Sequence, residues 1–132
     1  MKKIYLILII IGILIVGWLF VRFILGGSED SWIKDSRGVW VKHGNPASVP
    51  DNVKEQQTAV SCALGLYDEK KAQGIEFSSQ CLGSCGNYAV DIVHVPRINE
   101  DNLVENQCDD YRQGKVSKFI ELDKNKEIVR IV

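Results

Sequence analysis

The chain has 132 residues, enough for one small domain and one further segment. It carries 16 Lys and Arg against 17 Asp and Glu, a formal net charge of −1. This near balance excludes the strongly basic composition typical of nucleic-acid-binding proteins, so no nucleic-acid partner is predicted.

The amino-terminal segment is the most hydrophobic part of the chain. Residues 4–21 are eighteen consecutive uncharged residues, which as a helix extend about 27 Å, close to the hydrocarbon thickness of a bilayer. The run is longer than a signal-peptide core and has no A-x-A-like ending. These features predict a transmembrane anchor over residues 1–25. A cleaved signal peptide and a buried helix of a soluble protein are the alternatives.

The charges that flank this segment predict its orientation. Lys2 and Lys3, with the terminal amine, precede the run, whereas Arg22 lies near its other end. The positive-inside rule therefore places the amino terminus in the cytoplasm and the chain from about residue 26 onward outside it. Residues 26–30 are predicted to form a short linker, and residues 31–132 an extracytoplasmic domain.

Local patterns predict the elements of this outer domain. Residues 31–43 read as a hairpin with a turn at 35–38, and residues 52–73 as an amphipathic helix that Gly74 ends. The later elements are a turn-rich connection at 75–86, a strand at 87–95, an irregular polar stretch at 97–114, and a second hairpin with strands at 116–122 and 127–132. This order predicts an α+β domain with one helix packed on an antiparallel sheet.

All four cysteines lie in the outer domain. An even number of cysteines outside the cytoplasm favours two disulfides. We favour pairing Cys62 with Cys85 and Cys81 with Cys108, because this joins the helix to the next loop and links the two loops that flank the central strand. A four-thiolate zinc site is the alternative, but only Cys81 and Cys85 are closely spaced, so no metal is predicted.

The polar residues in and after the strand at 87–95 form the candidate ligand or interaction site. They combine acids with arginines and an imidazole, and they are Asp91, His94, Arg97, Asp101, Asp109 and Arg112. A buried carboxylate on this strand requires a partner, and Arg97, Arg112 or Lys118 is predicted to supply it to Asp91. The alternative is a solvated loop whose side chains cap its own turns.

Four segments of the outer domain carry a resemblance to a known family. They are GVWVKHGNP at 38–46, DIVHVPR at 91–97, ENQCDDYRQGK at 105–115 and FIELDKN at 119–125. Together they resemble an uncharacterised family of small archaeal proteins with an amino-terminal hydrophobic segment and several cysteines. The resemblance implies a membrane-anchored protein of a prokaryotic envelope, and it supplies no catalytic or binding residue.

These features predict a non-enzymatic, membrane-tethered binding or interaction module, with the membrane and an envelope protein as partners. No catalytic fingerprint occurs, and no catalytic residue or cofactor is predicted. The alternatives are a small hydrolase or thiol-active enzyme that uses residues 94–112, and a pilin-like envelope subunit. A cleft that brings together Asp91, His94 and Arg97 favours a ligand or enzyme site, whereas a flat surface favours an interaction module.

Overall fold

The amino-terminal segment of the computed structural model, which describes residues 2–25 and 29–132, is helical. Helix α1 comprises Lys2–Phe20, and a π-helical segment, Val21–Leu25, continues it. The span Lys2–Ile24 has a mean hydropathy of 3.0, and none of its most apolar window is buried. The predicted apolar helix is confirmed, with a length and composition that suit both membrane anchors and signal sequences. The predicted linker falls mostly on residues 26–28, which lie outside the described residues.

The described chain divides into two compact units. The first consists of Met1–Ile33 and Val41–Pro50, and the second of Lys34–Trp40 and Asp51–Val132. The predicted first hairpin is present as a two-stranded sheet of β1 (Ser31–Lys34) and β2 (Trp40–His43). The second unit contains all six candidate site residues.

Helix α2 (Asp51–Ala72) is the long helix predicted for the outer domain. Its buried residues recur every three or four positions, and they are Val53, Gln56, Ala59, Ala63 and Tyr67. Gln56 is polar, but its side chain accepts from the Trp40 backbone N–H at 2.8 Å and donates to the Gly38 carbonyl at 2.9 Å. These bonds satisfy the buried amide, so Gln56 attaches the preceding loop to the helix.

A four-stranded sheet packs against α2 in the order β3-β4-β5-β6. Its strands are β3 (Gln80–Cys85), β4 (Tyr88–Ile92), β5 (Lys118–Leu122) and β6 (Ile128–Ile131). The α+β class is confirmed, but the sheet is mixed, since β4 and β5 run parallel while the other two pairs are antiparallel. Residues 93–117 allow this arrangement, because a parallel pair requires a long crossover connection. Strand β3 lies where the sequence predicted only a turn-rich connection.

Different elements pack against the two faces of this sheet. Helix α2 covers one face, where the buried residues include Tyr67, Val90 and Ile120. A smaller cluster formed by Ala89, Cys108 and Val116, with Phe119 packed against it, occupies a separate part of the core. Residues 93–117 fold into two 3₁₀ turns, Asn99–Asn102 and Val104–Asn106, and a short helix α3, Asp109–Arg112.

Two disulfides join Cys62 to Cys85 and Cys81 to Cys108, which is the pairing favoured from the sequence. The first joins α2 to β3, and the second joins β3 to the connection between β4 and β5. Their sequence separations are 23 and 27 residues. Loops of this length predict a stabilisation of about 3 to 4 kcal/mol for each disulfide.

Candidate functional site

One row of side chains crosses all four strands of the sheet. Cys81 is paired with Asp91, Asp91 with Glu121, and Glu121 with Arg130 in the strand registers. Because side chains alternate along a strand and Val90 packs on the α2 side, Asp91 projects to the opposite face. We call these four residues the transverse row.

Three residues of the transverse row, Asp91, Glu121 and Arg130, line a cavity of about 240 Å³. Three acids and two arginines line this cavity together with Tyr111, and they are Asp91, Asp101, Glu121, Arg97 and Arg130. Its volume lies below the range of about 300 to 1,000 Å³ that is usual for drug-sized ligands. The cavity therefore suits a small polar molecule.

Glu121 is the acid that pairs with both arginines of the cavity, and it is only 4% exposed. Its Oε1 accepts from Arg97 at 2.8 Å and from Arg130 at 3.1 Å, and its Oε2 accepts from Arg130 at 3.1 Å. Two guanidinium groups thus surround one carboxylate, which satisfies the buried charge.

Asp91 is left without such a partner. Its Oδ1 is buried and has no hydrogen-bond partner among the residues that the structure describes. The three cations predicted to pair with it bind other acids: Arg97 binds Glu121, Arg112 binds Asp109, and Lys118 binds Glu55. The predicted ion pair of Asp91 is therefore wrong.

The surroundings of Asp91 favour its neutral form. Burial raises the pKa of Asp91 to about 6, although the Cys108 backbone N–H donates to the carboxyl and opposes the rise. The Glu121 carboxylate adds to the rise in this pKa, and Arg97 opposes it. Asp91 therefore changes its charge just below neutral pH.

Asp101 has the opposite environment, although its side chain is completely buried. Its carboxylate accepts from the Ser79 hydroxyl, from the backbone N–H groups of His94 at 3.1 Å and Ile98 at 2.8 Å, and contacts the His94 ring. Burial opposes ionisation, but these hydrogen bonds outweigh it and hold the pKa of Asp101 well below its usual range. Asp101 is thus a satisfied structural anion.

His94 follows the end of β4 and lines a neighbouring cavity with Phe77. Its Nδ1 lies 3.0 Å from Asp101 and 3.3 Å from the Ser79 Oγ. In a serine–histidine–acid relay the hydroxyl and the acid bind different ring nitrogens, whereas here both meet Nδ1. This arrangement does not activate Ser79 as a nucleophile.

The last two predicted residues, Asp109 and Arg112, form an ion pair with each other on α3. Asp109 lines an open groove of about 340 Å³ that also contains Cys81 and Cys108. The structure therefore unites Asp91, Arg97 and Asp101 in one cavity, with His94 beside it and Asp109 and Arg112 apart.

Sequence reasoning missed several residues that line the cavity, and they include Ser79, Glu121 and Arg130. Glu121 carries the same signal as Asp91, an acid within an otherwise apolar strand, and that signal was available. Arg130 lies at the cavity because β6 pairs with β5 and brings Arg130 opposite Glu121. The sequence alone does not reveal this pairing.

The Cys81–Cys108 disulfide lies close to Asp91. The two sulfur atoms and a carboxylate oxygen of Asp91 all lie within 4.8 Å of one another. Cys81 is exposed, whereas Cys108 is only 1% exposed. The Cys108 Sγ also lies 3.4 Å from the Gly83 carbonyl oxygen and 3.5 Å from that of Val90.

Comparisons with protein-family models, with curated proteins and with solved structures find no match to this chain. Its own features define a coarse class. An amino-terminal apolar helix followed by a disulfide-bonded α+β domain is the organisation of a membrane-anchored or secreted module.

Proposed function

We propose that the chain is a single-pass membrane protein whose α+β domain binds a small polar ligand outside the cytoplasm. The unpartnered Oδ1 of Asp91 at the cavity is the observation that carries this proposal. A buried acceptor without a partner costs about 1 to 3 kcal/mol. A ligand that donates a hydrogen bond to this oxygen removes that cost.

The charges of the cavity favour an amine as this ligand. Glu121 is neutralised by two arginines, and Asp101 is satisfied by its own hydrogen bonds. Asp91 is the remaining acid, and an ammonium group supplies both a positive charge and several donors. The proposed ligand is therefore a small molecule with a primary amine.

Ligand binding is tested by titrating the full chain in detergent with ethylenediamine, and with ethylene glycol as a control of similar size. We expect saturable amide chemical-shift changes around the cavity for the amine alone, weakening as pH falls below about 6 because Asp91 becomes protonated. Asp91→Asn should abolish these changes, whereas Asp109→Asn, which alters an exposed acid, should retain them. Equal responses to both compounds, or an unchanged response in Asp91→Asn, would contradict the proposal.

Four features of the chain support the proposed location. The helix over Lys2–Ile24 suits a membrane span, and both disulfides lie in the domain that follows it, as is typical of proteins outside the cytoplasm. Lys2 and Lys3 precede the helix, which supports a cytoplasmic amino terminus. The resemblance to small archaeal proteins supports an envelope setting, where the membrane and an envelope protein are the proposed partners.

Carboxyl-terminal reporter fusions test this topology. A phosphatase that is active only outside the cytoplasm should be active, and a fluorescent protein that matures only in the cytoplasm should remain dark. The chain should also stay in the membrane fraction after alkaline extraction. A fluorescent fusion would overturn the orientation, and release of a shortened chain would overturn the anchor.

The thiol-active alternative also has a specific observation in its favour, which is the contact between Asp91 and the Cys81–Cys108 disulfide. For the hydrolase alternative, the Ser79, His94 and Asp101 cluster offers no activated nucleophile, because both partners share Nδ1.

A further inference from the structure

We propose that Cys81 and Cys108 form a thiol–disulfide exchange site in which Asp91 transfers the proton. The substrate class is a dithiol, either a small molecule or an exposed cysteine pair of another protein. This activity goes beyond ligand binding and rests on a separate observation, the position of the carboxyl beside the disulfide.

The exposure of the two cysteines determines which sulfur is attacked. Cys81 is exposed and lines the open groove, whereas Cys108 is 1% exposed. An incoming thiolate must approach the sulfur that it attacks. Attack therefore occurs at Cys81, and Cys108 is the leaving group.

The buried position of Cys108 makes proton transfer necessary. A thiolate released there is a buried charge, which is costly unless it is neutralised or paired. The Asp91 carboxyl lies within 4.8 Å of the Cys108 sulfur and is its nearby proton source. Once protonated, the Cys108 thiol has two possible acceptors, the carbonyl oxygens of Gly83 at 3.4 Å and Val90 at 3.5 Å.

The exchange balances in two steps. A substrate thiolate bonds to the Cys81 sulfur as the Cys81–Cys108 bond breaks, and Cys108 takes the proton of the Asp91 carboxylic acid. The second substrate thiolate then attacks the substrate sulfur of this mixed disulfide, releasing Cys81, which takes a proton from solvent. The substrate dithiol is oxidised to a disulfide, and the protein disulfide is reduced to two thiols. In the reverse direction the Asp91 carboxylate removes the Cys108 proton.

The second disulfide provides an internal control. Cys85 belongs to the core on the α2 side of the sheet, and Asp91 projects to the opposite face. Glu55, the acid that lines the cavity beside Cys62 and Cys85, is held in an ion pair with Lys118. The Cys62–Cys85 bond lies away from the Asp91 carboxyl that the proposed exchange requires. Its rate of reduction reports the general accessibility and stability of the domain.

The acid form of Asp91 sets the expected pH dependence. The charged and titratable groups that face its cavity are Glu121 on β5, Arg130 on β6, Tyr111 on α3, and Arg97 and Asp101 in the connection. The pKa of Asp91 near 6 means that its contribution as an acid declines above that pH. The advantage of the natural chain over Asp91→Asn should therefore shrink between pH 5 and pH 8.

The test is partial reduction of the full chain in detergent by dithiothreitol, followed by alkylation and peptide mass spectrometry. We expect Cys81–Cys108 to open at least about tenfold faster than Cys62–Cys85. Asp91→Asn should slow its opening at pH 5 by about tenfold or more and leave Cys62–Cys85 unchanged. Asp109→Asn changes an acid that lines the same groove but is held in an ion pair with Arg112, and it should have little effect. In a Cys108→Ser variant a small thiol should form a mixed disulfide on Cys81.

Equal opening rates for the two disulfides, or an unchanged rate in a folded Asp91→Asn variant, would overturn the exchange site. Circular dichroism and an intact Cys62–Cys85 bond establish that the variant is folded. If Asp91→Asn is misfolded, Asp91→Glu is the second variant, because it retains an acid. It should keep part of the opening rate of Cys81–Cys108, and loss of that rate would count against the proposal. Amine binding to a domain with an inert disulfide would reject the exchange site alone.

Discussion

Asp91 and Glu121 lie directly opposite each other in the parallel pair of β4 and β5, so two carboxylates occupy neighbouring positions on one face of the sheet. Glu121 binds both Arg97 and Arg130, whereas Asp91 retains an oxygen without a partner. This unequal division produces the chemistry of the cavity. Glu121 holds the two arginines in place, and Asp91 supplies the oxygen on which the proposed ligand binding depends.

Glu121→Gln should destabilise the domain by about 1 to 3 kcal/mol, because it removes the buried charge and one of the two oxygens that accept from the partly exposed Arg97 and Arg130. It should also lower the pKa of Asp91, since a neighbouring negative charge is removed. Denaturant unfolding and a carboxyl titration by NMR measure the two effects. Glu55→Gln is the control, because its pair with Lys118 is well exposed and should contribute less than about 1 kcal/mol. Similar losses in both variants would argue against the structural role of Glu121.

Asp91→Asn should increase stability above pH 6. The folded chain has the higher pKa and binds more protons than the unfolded chain between about pH 4 and 6, so its stability falls as pH rises through this window. A shift from 3.8 to about 6 corresponds to about 1 to 3 kcal/mol after allowance for partial solvation. Unfolding curves of the two chains should therefore converge below pH 4 and separate above pH 6. If the two unfolding curves stay parallel across this range, the pKa of Asp91 is not raised in the folded chain.

Asp101→Ala should destabilise the domain by about 2 to 4 kcal/mol, because the backbone N–H groups of His94 and Ile98 lose their acceptor. The folded pKa of Asp101 is lowered, so its contribution is present above its ordinary pKa near 4 and disappears as pH falls through the folded value. Thermal unfolding at pH 7 and at pH 2 measures this change. Asp109→Ala removes an exposed acid and should have little effect, and a comparable loss there would weaken the interpretation.

Gly38→Ala should destabilise the domain more than Gly86→Ala. Both glycines have positive φ, at +83° and +60°, which costs a residue with a side chain about 1 to 2 kcal/mol. A Cβ at Gly38 also collides with the Ile131 backbone carbonyl, whereas a Cβ at Gly86 meets nothing within 4 Å. Chemical denaturation of the two variants separates the conformational cost from the collision. Equal losses would show that the Ile131 contact is not rigid.

The elements that local signals define were predictable from the sequence. The helix predicted at 52–73 is Asp51–Ala72, because its apolar spacing and the following Gly74 are properties of one segment. The last hairpin was predictable for the same reason. Strand β3 was not, since its sequence, QCLGSC, contains a glycine at φ +145° beside a bulge. Pairing with β4 and two disulfides define this strand, and those contacts are distant in sequence.

The candidate site was predictable only in part, because the residues that line it are brought together by the register of β4, β5 and β6. Asp91 was recognisable as unusual because it is an acid within an apolar strand. The sequence did not reveal that its three candidate cations, Arg97, Arg112 and Lys118, pair with other acids. The parallel pairing of β4 with β5 places Glu121 beside Asp91, and an antiparallel arrangement gives different neighbours. The cavity is therefore a property of the topology.

The most direct test of the central claim is an NMR titration of the Asp91 side-chain carboxyl in the full chain in detergent micelles, assigned with Asp91→Asn. We predict a midpoint near pH 6 that falls when ethylenediamine is added, because the amine binds the ionised carboxylate. A midpoint near pH 4 that the amine does not change would show that Asp91 is solvated or paired, and would contradict the proposed site.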